Sequence, residues 1–99
     1  MNPFIVFEIN DNSQLPAIKA AMLPLGYYNA WNSNGQRYDF PSNCIWKLNS
    51  ELQTALDDLK KAIADLNIHR VNNPILLQKC IVLSNTPWVG IPNSPTPAP

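Results

Sequence analysis

The stretch LQTALDDLKKAIADL, residues 52–66, places Leu52, Leu56, Leu59, Ile63 and Leu66 at steps of four, three, four and three. Steps of that size stack side chains on one side of an α-helix, so the stretch reads as an amphipathic helix with a continuous apolar stripe. Its opposite side carries Asp57, Lys61 and Asp65, spaced for i, i+4 ion pairs on a solvated face. Ser50 followed by Gln53 has the form of a capping box, with Asn49 as an alternative cap. A polar connection over 67–74 then leads into a strand-like run, ILLQKCIVL at 75–83. Far upstream, FIVFEI at 4–9 alternates with period two: Ile5, Phe7 and Ile9 fall on one face, and Phe4, Val6 and Glu8 on the other. The uniformly apolar set is expected to face the helices.

Between these anchors, Asp11, Asn12 and Ser13 supply turn and capping chemistry, and Pro16 suits the first turn of a helix. Leu15, Ile18, Met22 and Leu25 make one stripe, which Pro24 and Gly26 bring to an early stop. Residues 27–48 are dense in aromatic and turn residues, the pattern of strands joined by turns. Asn34-Gly35 is a two-residue hairpin signal, because a type I′ turn needs positive φ at both positions. The arms are expected at 27–33 and 43–48, with 36–40 either adding to the hairpin or forming a long loop. The order β-α-β-β-α-β specifies a ferredoxin-like α+β sandwich. Its four-stranded antiparallel sheet, in spatial order 4-1-3-2, carries two helices on one face. This domain occupies residues 1–84, and 85–99 form a proline-rich tail. Trp88, Val89 and Ile91 are apolar enough to fold back onto the body or onto a partner. Pro92 and Pro95 match a PxxP spacing, for which a plain tail is the simpler reading.

Composition narrows the function classes. A chain of 99 residues, 45% hydrophobic and 14% charged, is sized for one small core. No apolar run approaches the ~20 residues needed to cross a bilayer, and no secretory signal is visible, so a cytoplasmic location is expected. Seven basic and seven acidic residues balance, without the concentrated basic face of a strong duplex binder. Cys44 and Cys80 are too few for a zinc motif. On strands flanking the first strand they would lie roughly 10 Å apart, beyond disulfide reach, and are read as buried thiols.

Candidate chemistry is sparse. Glu8 and Asp11, at the end of a central strand, are the candidate catalytic and metal-ligating residues, since two such carboxylates suit a hard divalent cation. The simpler alternative pairs Glu8 with Lys79 across strands and uses Asp11 as a helix cap. His69, the only histidine, lies in the polar connection and reads as a solvated loop residue. No GxSxG, GxGxxG or P-loop pattern occurs. The aromatics Tyr27, Tyr28, Trp31, Tyr38 and Trp46 fit core packing, a stacking platform for single-stranded bases, or a dimer interface.

Phe7-Glu8-Ile9-Asn10-Asp11, closing the first strand of a β-α-β-β-α-β chain of this size, resembles the strand end of the small CRISPR-associated ferredoxin-fold nucleases and of virulence-associated protein D. The resemblance implies a homodimer whose strand-end carboxylates meet near the two-fold axis and bind a metal, Mg²⁺, that supports cleavage of RNA or DNA. Two departures stand beside it: the leading acid is Glu8 where those families have aspartate, and no arginine-rich continuation follows Asp11. The chain is therefore read first as a non-enzymatic interaction or regulatory module acting as a homodimer, with Trp88 as an interface residue. A metal-dependent endoribonuclease is the alternative, and RNA the corresponding partner.

Overall fold

The computed structural model describes residues 1–84 and 88–92 of the 99-residue chain. It shows an α+β fold with two α-helices, a four-stranded antiparallel sheet and a separate two-stranded one. The strands are β1 Pro3–Ile9, β2 Tyr27–Tyr28, β3 Ala30–Ser33, β4 Gln36–Asp39, β5 Cys44–Lys47 and β6 Leu77–Ser84; the helices are α1 Leu15–Met22 and α2 Leu52–Asn67. The main sheet runs β2-β5-β1-β6, and β3 pairs only with β4. Where four strands are expected the described residues make six, so a two-stranded ribbon interrupts the expected pattern. Residues 88–92 lie in no helix or strand; the rest of the expected tail, including Pro95, is outside the described residues.

The ribbon follows from the Asn34-Gly35 turn. Asn34 has φ 52° and Gly35 φ 77°, as a type I′ turn requires. A two-residue loop forces its immediate flanks into register, so Ser33 pairs with Gln36 and Trp31 with Tyr38. The tight turn's second arm is therefore β4, while the expected pairing of 27–33 with 43–48 survives at its outer end, where β2 pairs with β5, which also pairs with β1. This also settles 36–40 as mostly strand.

Strand β1 places Ile5, Phe7 and Ile9 in the core, as its alternation requires. They meet Leu15, Ile18 and Met22 of α1 and Leu59 and Ile63 of α2. Leu25 leaves the α1 stripe and is 44% exposed, because the helix tightens into a 3-10 turn over Leu23–Leu25. The different turn angle there swings position 25 away from the core. In α2 the buried residues are Ala55, Leu59, Ala62 and Ile63, while Leu52, Leu56 and Leu66 are half-buried. The capping box does not form: Glu51 is the N-cap and makes no side-chain cap. Gln53 donates to Asp57 at 2.9 Å instead, and Lys61 pairs with Asp65 at 2.8 Å. The expected Asp57–Lys61 pair is thus replaced by the neighbouring alternatives on the same face.

Two asparagines hold the start of the last strand. Asn67 Nδ2 donates to the Ile75 carbonyl at 2.8 Å, and the Ile75 N–H donates to Asn67 Oδ1 at 2.7 Å. Asn10 behaves alike, donating to the Pro74 carbonyl at 3.1 Å and accepting from the Leu76 N–H at 2.8 Å. Each side-chain amide stands in for a peptide group just ahead of β6. Asn67→Ala is expected to lower stability by about 1–3 kcal/mol, since the buried Ile75 loses partners for both its backbone groups. Urea denaturation checks this, with exposed Asn72→Ala as the near-neutral control.

On the helix side, Tyr27 is 2% exposed, and its hydroxyl donates to Asp58 of α2 at 2.7 Å. Lys47 Nζ lies 5.3 Å from the ring centroid. Burial first, then the Asp58 hydrogen bond and charge, push the phenol pKa far above its ordinary value. A raised folded pKa gives stability that is fully present below the unfolded pKa of about 10 and is lost as pH climbs toward the folded value. Tyr27→Phe is accordingly expected to be about 1 kcal/mol less stable at pH 7 and to lose less stability above pH ~10 than the parent. Chemical denaturation at several alkaline pH values measures both; Cys44 and Cys80 titrate in both proteins and largely cancel from the comparison.

Candidate functional site

The face of the main sheet turned away from the helices carries Phe4, Val6 and Glu8 of β1. Register sets Phe4 beside Trp46 and Leu83, Val6 beside Cys44 and Ile81, and Glu8 beside Lys79. Part of this face is roofed by the chain itself. Trp31 of β3 lies with its ring centroid 5.8 Å from Phe4, 5.3 Å from Trp46 and 4.7 Å from Phe40. Phe40 meets Phe4 edge-on at 4.8 Å. The Trp46 indole donates to the Ala30 carbonyl at 2.7 Å and so ties ribbon to sheet. These are the tilted and edge-to-face contacts that ring quadrupoles favour.

The segment after β6 adds a strap. Trp88 packs on Trp31 at 4.7 Å and edge-on against Tyr38 at 4.9 Å. Gly90 lets the strap lie close: a Cβ there would sit 3.1 Å from the Trp88 ring and 3.4 Å from Tyr38. Between sheet, ribbon and strap runs a groove of about 590 Å³, walled chiefly by Phe4, Trp31, Tyr38, Phe40, Leu83 and Trp88. Asp39 at its edge pairs with Arg37 at 2.8 Å. The Trp31 indole Nε1 is buried and finds no hydrogen-bond partner among the described residues. Leu83 in its wall is 50% exposed, and Ile81, two residues back on the same strand, is 61% exposed.

Glu8 and Asp11 take the simpler of their two expected places. Glu8 Oε1 lies 4.0 Å from Lys79 Nζ, with both side chains solvated. Asp11 Oδ1 accepts from the Ser13 N–H at 3.0 Å and the Ser13 hydroxyl at 2.7 Å, capping the 3-10 turn at Asn12–Gln14. These hydrogen bonds hold the Asp11 carboxyl below its ordinary pKa. Among the described residues no three His, Cys, Asp or Glu side chains gather. Asp11 would bring to a cation an oxygen already held by Ser13.

Cys44 and Cys80 are free thiols. Their register partners are the consecutive residues Val6 and Phe7, which puts the two cysteines on opposite sheet faces. Burial pushes both thiols up in pKa. Cys44 is buried as expected, while Cys80 is only half-buried at the edge strand. His69 is exposed in a turn. The suggested base-stacking set divides: Tyr27 belongs to the helix-side core, Tyr28 is 48% exposed, and Trp31, Tyr38 and Trp46 interlock with other rings. Phe4 and Phe40 complete the groove but carry no signal of their own in sequence. Their roles depend on where the ribbon lands.

No protein-family model, curated protein or solved structure matches the chain. Any functional reading therefore rests on the residues and their geometry. Trp88→Ala is expected to open the roof, lowering stability by about 1–3 kcal/mol and increasing the fluorescence of a bound anilinonaphthalene dye. Unchanged dye binding together with an unchanged melting curve would show that the strap does not seal this face.

Proposed function

We propose that this protein is a small non-enzymatic interaction module that acts as a homodimer through its roofed sheet face. Its scaffold is, on this reading, a ferredoxin-like sandwich with a β-ribbon inserted between the second and third strands of the main sheet. The observation that carries the proposal is the aromatic groove, with exposed Ile81 and Leu83 continuing its apolar surface. Contiguous exposed apolar surface beside ordered aromatic rings is the composition of a protein-binding face. A nucleic-acid phosphate surface needs clustered cations, whereas the balanced charge here supplies none in excess.

Light scattering across a concentration series tests the reading. The parent chain is expected to pass from monomer to dimer as concentration rises. Ile81→Lys with Leu83→Lys is expected to stay monomeric and folded, since both side chains are already exposed. A strict monomer at every concentration would remove the homodimer. Mg²⁺-dependent cleavage of mixed RNA, lost in both Glu8→Ala and Asp11→Ala, would replace the non-enzymatic reading with the endoribonuclease one.

A further inference from the structure

The main sheet has two edges of unequal kind. One is β2, only 2 residues long, and the other is β6, whose outer side pairs with no strand among the described residues. Hydrogen-bond parity fixes which β6 groups point outward. The Phe7 N–H donates to the Asn43 carbonyl at 3.1 Å, on the β5 side of β1. Odd-numbered residues of β1 therefore bond toward β5 and even-numbered ones toward β6, as antiparallel ladders alternate. Cys80, Val82 and Ser84 sit opposite Phe7, Ile5 and Pro3, so their backbone N–H and C=O groups point away from the sheet.

Edge strands that stay unpaired are commonly guarded by a proline, a charge or a bulge. In β6 such guards stand only near its start. Lys79 is the one charged residue of the strand, and the register shift between Glu8 and Ile9 puts the irregularity beside it. From Cys80 to Ser84 the register with β1 is unbroken, and the residues Cys-Ile-Val-Leu-Ser include neither proline nor charge. Ile81 and Leu83, on the face turned away from the helices, are both exposed. The unguarded half of the strand is thus also the half with exposed apolar side chains.

We infer that β6 of a second copy pairs antiparallel with this edge about a two-fold axis at Val82, joining two four-stranded sheets into one. The occupant follows from length and from face. A β2 edge is too short to meet residues 80–84, whereas a second β6 matches them residue for residue. A two-fold axis perpendicular to the sheet keeps each face continuous, so directly opposed residues share a face and the axis falls at a residue, not between two. Centring on Val82 sets Val82 against Val82 and Cys80 against Ser84, which places every outward-pointing residue of 80–84 in a hydrogen-bonded pair. Ile81 then faces Leu83 of the other copy, twice by symmetry, at the ~4.5 Å Cα spacing of non-hydrogen-bonded pairs. Lys79 falls outside this ladder. Centring on Ile81 would lay Lys79 against Leu83 and draw the irregular Gln78 into the pairing; centring on Cys80 would lay Lys79 against Ile81. The inference rests on the homodimer reading and names the element that joins the two copies.

Amide hydrogen exchange of the full chain, followed by NMR below and above the dimerisation concentration, reads the edge directly. The Cys80, Val82 and Ser84 amides are expected to exchange at least about 10-fold more slowly in the dimer, while the Ile81 amide, which bonds to β1, is slow in both. Val82→Pro removes an outward N–H and none that β1 uses, so it is expected to stay folded and to raise the dimer dissociation constant at least about 10-fold. Disulfide trapping needs no proline variant. With Cys44→Ser and Cys80→Ser in place, a chain carrying Ile81→Cys is expected to link on oxidation mainly to a chain carrying Leu83→Cys, the pair set directly opposite. Edge amides whose exchange is unchanged by dimerisation would overturn the pairing and leave the homodimer standing. So would a folded Val82→Pro chain that dimerises like the parent, or Ile81→Cys chains that link to one another as readily as to Leu83→Cys chains. A chain monomeric at every concentration would remove both readings.

Discussion

Strand β1 is apolar on both faces and hydrogen-bonded along both edges, so the chain must build cover on two sides of one strand. Ile5, Phe7 and Ile9 receive α1 and α2. Phe4 and Val6 face the other way, where no helix is available, and an uncovered face would leave several large side chains in water. The ribbon β3–β4 and Trp88 supply the second layer. The two layers differ in kind, one aliphatic and continuous, the other aromatic and incomplete.

That incompleteness has a physical origin in ring geometry. Rings that meet edge to face, as Phe4 with Phe40 and Trp31 with Phe40 do, leave wedge-shaped space that aliphatic side chains would fill by interdigitation. The groove is the remainder of this packing, and its apolar walls follow from the same rings. The carboxylates at the end of β1 belong to a different regime. Glu8 is solvated near Lys79, and Asp11 is engaged by Ser13.

Much of the helix side was legible from short-range pattern. The α1 stripe through Met22, the parity of β1, the type I′ turn and the Glu8–Lys79 and Asp11–Ser13 contacts depend on residues a few positions apart or on strict alternation, which sequence displays directly. The second arm of the hairpin was less legible because the turn's short reach competes with the strong β-character of 43–48, and register decides between them. The α2 cap was misread, since the Ser50–Gln53 box does not form and Glu51 takes the N-cap position, and the Asn10 and Asn67 clamps were silent for a related reason. Each depends on a backbone group brought near by the fold, such as Ile75 against Asn67.

The sequence by itself determined an α+β chain whose first strand divides into two faces and whose longer helix carries one apolar stripe. Periodicity encodes which way a side chain points relative to its neighbours, and that information is local. Only the tertiary structure decided what covers Phe4, because the answer depends on where the ribbon crosses the sheet and where Trp88 packs. Those placements follow from packing between residues far apart in the chain. They turn a scatter of aromatic residues into a groove with a definite shape.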